Sequence, residues 1–522
     1  MAGTNAALDE GSDRTGAAIL RGGSITMLGT LSGGALAFVA EVAIARTLGP
    51  SAYGLFSLAY VLVRIASSLS IAGLGAAVLH HIPVYLSKDR KAEAAGAAIF
   101  APLVPVVIGT LAALLVFACS DLLAEGIFAK PESAPHFRML AAVIPLMSTG
   151  ELVALATRGF GHSIYHVLIA SLWPPVVLLG GIGLVAMLGL PSTAVGGAVV
   201  TAYGSALIVG LVCIATLVRP ILGSAKPRPE LARLLAYAWP VLLATLLYNV
   251  VEWADILLVG YFLSAADVGV YRACAQILLV FNIVVYSINA GAAHLFPVLE
   301  GPEHARERND AFRLVCLLVF AVSAPLFSIV ALFHRSILAL LGSGYAEGGL
   351  VLVSLAIGRL IRAGLGNTAF LLLFTGRQRV ELGNAALGAF AIVALGATLI
   401  PWLGLYGAAL ASIACDTVLN LLRAYQVRRL MQVSVPITLL ARMIAAVGAV
   451  ALGLVAVLVL TDLYAKPLPP LMLVGLVLAT GLLQIAALWC VGIAPADRQR
   501  IAGILEMSLR TVPPQSGARP PQ

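Results

Sequence analysis

The chain has 522 residues, 61% of them hydrophobic and 11% charged, with a formal net charge of +8. A water-soluble globule needs more polar surface than this leaves, so a soluble enzyme or binding domain is excluded. Apolar runs of about 20 residues read instead as membrane spans, and in lipid such runs must be helices because the backbone has to satisfy itself.

Residues 1–23 are polar and carry Arg14 and Arg21. No short apolar core with a small-residue cleavage site follows, so the first span reads as an uncleaved anchor. The predicted spans are 24–46, 54–79, 95–119, 138–158, 165–189, 194–218, 236–260, 268–296, 312–333, 347–374, 381–401, 405–427, 439–461 and 470–492, fourteen in all. The links between them are short, and none holds a soluble domain. The six cysteines all fall in apolar runs and never as a close pair, so they read as small buried hydrophobes.

Basic residues orient the bundle. One alternate set of links and tails holds 23 of the 32 Lys and Arg, including Lys88, Arg90, Lys91, Arg228, Arg308, Arg379 and Arg429. The opposite set holds six: Arg46, Lys130, Arg138, Arg272, Arg335 and Lys466. This asymmetry places both termini in the cytoplasm. The positive charge then reflects orientation and anionic lipid rather than nucleic acid.

The chain repeats itself. "VLHHIPVYL" (78–86) and "AHLFPVLEG" (293–301) set His80 and Pro83 against His294 and Pro297. Each proline is expected to bend or end its helix. The histidines read as helix-end packing, with a protonation switch as the other reading. Gly54 answers Gly269, Glu41 answers Asp255, Gly161 answers Gly376 and Gly197 answers Gly407, at offsets between 210 and 215. Six helices per copy is an even number, so both copies enter the membrane in the same direction, related by a pseudo-two-fold axis along the membrane normal. The predicted organisation is a polar cytoplasmic segment (1–23), an N-lobe of six helices (24–218), a cytoplasmic linker (219–235), a C-lobe of six helices (236–430), two appended helices (431–494) and a cytoplasmic tail (495–522). The fold class is an all-α polytopic membrane protein.

"ARTLGPSAYGLFSLAY" at the first link, "TGRQ" after span 10, "LGLYGAALA" entering span 12 and the twelve-plus-two layout resemble the polysaccharide flippases of the multidrug/oligosaccharidyl-lipid/polysaccharide exporter superfamily. The resemblance covers roughly residues 20–490. It implies translocation of an undecaprenyl-diphosphate-linked oligosaccharide across the cytoplasmic membrane, with polysaccharide polymerases or glycosyltransferases as partners.

Charges inside spans are costly, so they should face protein or water. Arg64 shares a helical face with Ser67 and Ser68; Arg359 and Arg362 share another, extended by Gly366; Arg272 and Gln276 lie one turn apart. A fork-shaped, permanently charged guanidinium suits a diphosphate, so these arginines read as a cationic cavity, or else as partners of acids that tie helices together. Asn282 and Asn289 would bind sugar hydroxyls or link helices. Glu41, Glu252, Asp255 and Asp416 would carry H+ or Na+ for coupling, or serve as counter-ions to the arginines. No phosphate-binding Gly-x-x-x-x-Gly-Lys-Ser/Thr loop occurs, and no cofactor or metal is expected. "LGSGYAEGG" (341–349) reads as a flexible loop. The leading reading is a flippase, not an enzyme. A cation-coupled multidrug exporter, which would want an acidic or aromatic cavity, is the alternative. A polytopic glycosyltransferase or polymerase is a third, and the short outer links count against it.

Overall fold

The computed structural model describes residues 2–499 apart from 223–225, 293–295, 297–298, 300, 302, 366–367, 462–467 and 496, with side chains from residue 28 onward except at 290, 291 and 374. His294, Pro297 and Gly366 lie outside the described residues. In chain order the helices are α1 (Ala2–Ser70), α2 (Leu74–Ser87), α3 (Lys91–Phe100), α4 (Leu103–Ala118), α5 (Ala134–Ala141), α6 (Val143–Gly159), α7 (Ser163–His166), α8 (Trp173–Leu188), α9 (Ala194–Leu222), α10 (Leu231–Phe262), α11 (Ala265–Ile277), α12 (Leu279–Ala292), α13 (Ala305–Ala339), α14 (Gly349–Gly364), α15 (Thr368–Phe374), α16 (Gln378–Leu403), α17 (Leu405–Met431), α18 (Ile437–Leu460) and α19 (Pro470–Ala487).

Thirteen helical segments among the described residues are long and apolar enough to cross a membrane. The first, Leu28–Ser87, has 60 residues, far more than the about 20 that one crossing needs. It breaks at Gly49, whose φ of 72° only glycine adopts without strain, and Pro50 then starts a new helix. That segment therefore makes two crossings, and the count reaches the fourteen expected.

The structure narrows one sequence expectation and corrects another. Of bending or ending its helix, Pro83 does not end it, since α2 runs through to Ser87. His80 stacks on the Tyr237 ring at 5.0 Å, with His81 edge-on to the same ring at 5.2 Å. The "LGSGYAEGG" run is not a flexible loop, because Ser343–Gly348 forms a tight 3₁₀ turn around the fully buried Tyr345.

The described residues fall into two compact units. One comprises Met1–Ile283, Ile337–Gly358 and Gln378–Leu419; the other comprises Val284–Ser336, Arg359–Arg377 and Asn420–Gln522. In the first unit, Leu74, Val78 and Ile82 of α2 pack with Ala94 and Ala98 of α3, Leu152 of α6, Ile214 of α9 and Leu234 of α10. In the second, Leu317 and Phe320 of α13 pack with Leu440 and Met443 of α18 and with Leu488. Large apolar side chains such as Leu111, Leu114, Leu452 and Leu471 are more than half exposed, as a surface facing lipid requires.

The link that enters α10 is clasped to α3. Glu230 accepts hydrogen bonds from Tyr85 (2.6 Å) and Arg90 (2.6 Å), and the Arg228 amide donates to the Ala92 carbonyl at 2.9 Å. The Tyr85 hydroxyl, followed by the Arg90 guanidinium, holds the Glu230 carboxyl below its ordinary value.

The repeat is written into the helix boundaries. Ala134 and Gly349 begin helices 215 residues apart, as do Ser163 and Gln378. Gly159 and Phe374 end helices at the same spacing, as do Leu188 and Leu403. Ala118 ends α4, and 215 residues on, Phe333 kinks α13. Gly161 and Gly376 take φ of 84° and 71°; Gly189 and Gly404 take 60° and 58°. The link after Gly189 is four residues longer than the link after Gly404, since α9 starts at Ala194 and α17 at Leu405. That insertion lowers the offset to 211, which pairs Gly407 with Gly196 rather than with the neighbouring Gly197.

The copies also meet reciprocally. A Cβ on Gly54 would strike the Ala265 carbonyl and lie 2.9 Å from the Gly269 nitrogen; a Cβ on Gly269 would strike the Pro50 carbonyl and lie 3.2 Å from the Gly54 nitrogen. Pro50 and Ala265 are themselves 215 apart. Residue meets mate and mate meets residue, the signature of a two-fold axis. Because the obstacle at each site is backbone, Gly54→Ala and Gly269→Ala are each expected to destabilise by about 1–3 kcal/mol. Gly180→Ala, where a Cβ meets nothing within 4 Å, should be neutral. Thermal denaturation of the purified protein in detergent compares the three; a neutral Gly54→Ala would contradict the close approach.

Candidate functional site

The polar interior of the first unit is assembled around Trp253 of α10. Arg64, on the second arm of α1, holds its guanidinium carbon 5.9 Å from the indole centroid, and Arg272 of α11 holds its own at 5.3 Å. Two cations against one indole gain from its negative face, and they have opposite fates.

Arg272 is buried. Its Nη2 and Nε donate to Glu41 Oε1 at 2.9 Å and 3.2 Å, and the fully buried Tyr53 donates to the same oxygen at 3.0 Å. The structure thus places Arg272 and Glu41 as each other's counter-ions, joining α1 to α11.

Arg64 is exposed although it sits mid-span. Among the described residues no carboxylate makes an ion pair with it. The charged and phenolic groups around it are Tyr60, Tyr203, Arg272 and Glu151. These come from α1, α9, α11 and α6, so the guanidinium faces protein rather than lipid. Tyr60 and Tyr203 share a hydrogen bond of 3.2 Å, and Trp173 donates to Ser205 at 3.1 Å. One turn from Arg64, Ser68 accepts from Asn249 at 3.0 Å.

The acids of α10 split. Glu252 is exposed beside Trp253. Asp255 accepts from the Tyr271 hydroxyl and the Ile256 amide, both at 2.8 Å. Asp416 of α17 lies against Gly358, whose added Cβ would stand 3.7 Å from its Oδ2. Asn282 is half-buried. Arg359 and Arg362 are half-buried members of the second unit, as is the buried Asn289, which donates to the Val285 carbonyl of its own helix at 2.7 Å.

Several members of this interior escaped the sequence reading. Glu151 is the acid inside the predicted span 138–158, whose other charges, Arg138 and Arg158, stand at its two ends, a usable signal. Glu381 is buried at the start of α16, accepting from Asn384 at 3.2 Å and facing Tyr248; its place at a predicted span edge disguised it. Trp253 carried no pattern at all.

Many helices long and apolar enough to cross a membrane, built from a repeated helical unit, define a multi-pass membrane protein. Residues 19–300, more than half the chain, match the family described as "Polysaccharide biosynthesis protein", and the chain belongs to that family. Residues 240–378 match the MatE family. The succinoglycan biosynthesis transport protein ExoT of Rhizobium meliloti (strain 1021) is 24% identical over 332 residues, 62% of this chain, and the match spans 63% of that relative's length. Among solved structures, the lipid II flippase MurJ in an inward closed conformation superposes with a TM-score of 0.67 at 11% identity, covering 93% of this chain and 99% of its own. An inward-facing multidrug resistance MATE family transporter of the MOP superfamily gives 0.66 at 14% identity, covering 78% and 98%. These two likenesses establish the shared fold.

Proposed function

We propose that this protein is a flippase that carries a lipid-linked oligosaccharide across the cytoplasmic membrane by alternating access, for surface polysaccharide synthesis. The observation that carries the reading is Arg64: a mid-span guanidinium, exposed, without a carboxylate partner, and walled by aromatic and hydroxyl side chains. A diphosphate leaving the headgroup layer exchanges hydration for fixed positive charge, and low-dielectric walls strengthen that attraction. Trp253, Tyr60 and Tyr203 supply flat and hydroxylated surfaces suited to sugar rings. Arg359 and Arg362 of the second unit are proposed as further phosphate ligands, and Asn282 and Asn289 as sugar contacts. Glu252, Asp255 and Asp416 are proposed as carriers of H+ or Na+. Both termini are assigned to the cytoplasm on the basic asymmetry, and polymerase or glycosyltransferase partners on the family resemblance. Succinoglycan, named in the relative, supports a polysaccharide precursor as the class of cargo.

The test is a deletion strain. Loss of the protein is expected to remove surface polysaccharide and to accumulate diphosphate-linked saccharide lipid in the inner leaflet, without altering resistance to cationic drugs. Normal polysaccharide display together with raised drug sensitivity would overturn the flippase reading in favour of multidrug export.

A further inference from the structure

Beside the reciprocal glycine contact, the two copies exchange one hydrogen bond each. Lys130, in the link before α5, donates from Nζ to the Gly260 carbonyl at 2.6 Å. Tyr345, in the turn before α14, donates from its hydroxyl to the Ala45 carbonyl at 2.8 Å. Lys130 and Tyr345 stand 215 residues apart, and so do Ala45 and Gly260. Each donor therefore lies at one equivalent place in its copy, each acceptor at another, and each bond crosses from one copy to the other.

The donors differ in every respect except reach. One is an aliphatic ammonium, half-buried; the other is a phenol, fully buried, its ring edge-on to Tyr53 at 6.3 Å. Burial lowers the Lys130 ammonium below its ordinary value, against the pull of Asp267. Within one chain, then, the same bond is made by unrelated chemistry, so it is the bond that recurs and not the side chain. The acceptors suit a reversible contact. Ala45 lies four residues before the break at Gly49, and Gly260 in the last turn of α10. Carbonyls in a last helical turn lack an intrahelical donor, and water can take over when the protein donor leaves. Lys130 also holds the Phe128 carbonyl at 2.9 Å, which fixes its link in place. The basic-residue asymmetry assigns this end of the helices to the outer face.

We infer that Lys130 and Tyr345 are gating residues: a paired latch that joins the outer ends of the two copies and must break and re-form on both sides of the local axis in each transport cycle. The inference concerns the motion and holds whatever head group is carried.

Ser51 and Ala266 are exposed, 215 residues apart, and flank the latch. Spin labels on cysteines there, in the full chain with native cysteines replaced and reconstituted in lipid nanodiscs, report the separation of the outer ends by pulsed electron resonance. The parent is expected to show a dominant short distance. Lys130→Met and Tyr345→Phe should each raise the long-distance to short-distance ratio about fivefold, the size of one net hydrogen bond, and the double variant should raise it further. Lys130→Arg, which keeps a cationic donor, should restore the parent distribution; a merely space-filling lysine would not predict this rescue. Tyr345→Phe removes one oxygen and keeps the buried ring, so it reports on its own even if Lys130→Met fails to accumulate. An unchanged distance distribution in Tyr345→Phe, or Lys130→Arg behaving as Lys130→Met, would overturn the latch.

Discussion

Arg64→Gln is expected to reduce export of lipid-linked saccharide by about tenfold to a hundredfold while the protein reaches the membrane at normal abundance. The first half rests on charge: a hydrogen bond to an ionised group is worth about 1.5–3 kcal/mol net, and each 1.4 kcal/mol is tenfold. The second half rests on the absence of an ion pair. Neutralising Arg64 breaks no ion pair, although it withdraws the charge that faces Glu151, and the contact with Trp253 is worth about 0.5–1 kcal/mol. Arg64→Lys should recover part of the activity, since charge survives and the two-pronged geometry does not. The measurement is surface polysaccharide display in the deletion strain, with membrane abundance of each variant quantified in parallel. Full display by Arg64→Gln would remove this residue from the cargo path.

Glu41→Gln should behave in the opposite manner, costing stability first. The Glu41–Arg272 pair is almost wholly enclosed, with 12% and 8% of the two side chains exposed. Removing one partner leaves a buried charge alone and costs about 3–5 kcal/mol. Arg272→Met is expected to cost a similar amount by stranding Glu41. The double variant Glu41→Gln with Arg272→Met should lose much less than the two single losses together, because neither charge then remains. Thermal denaturation in detergent at low and at high salt provides the readout, and the buried pair should respond little to salt. Strictly additive losses would show that the pair is not coupled and that each side chain acts through packing alone.

The arginines show what a sequence can and cannot carry. Arg64 and Arg272 were both visible as charges in or near spans, and hydropathy treats them alike. What separates them is Glu41, 231 residues from Arg272 in the chain, and no local pattern announces a partner at that distance. The repeat was legible because duplicated helix starts leave glycines and aromatics at a fixed spacing. Gly54 and Gly269 were found that way as matching helix starts. That they touch each other is a fact of three dimensions. Lys130 registered only as an outer charge, and Tyr345 was hidden in a glycine-rich stretch whose composition mimics a mobile loop. In fact Gly344 sits where an added Cβ would come within 2.7 Å of the Pro50 ring, so that glycine marks close approach rather than freedom. Pro83 was legible only as a bend or an end, because a missing donor does not by itself choose between them; α2 runs on to Ser87.

The contact between Gly54 and Gly269 has a bearing on ancestry. A surface that meets its own mate about a two-fold axis is what two identical polypeptides present to each other, so a pair of separate six-helix chains inserted in the same direction would already possess it. Fusion adds only a tether. It also grants something a homodimer cannot have, namely the right to break the symmetry. At the 215-residue register that pairs Ala45 with Gly260, the mate of Arg272 is Ser57 and the mate of Glu41 is Ile256, one residue beyond the Asp255 that the sequence alone suggests. An identical pair would bury two arginines and two glutamates; the fused chain buries one of each, with a serine and an isoleucine at the equivalent places. Half the desolvation is avoided, and the two halves become free to diverge into unequal roles.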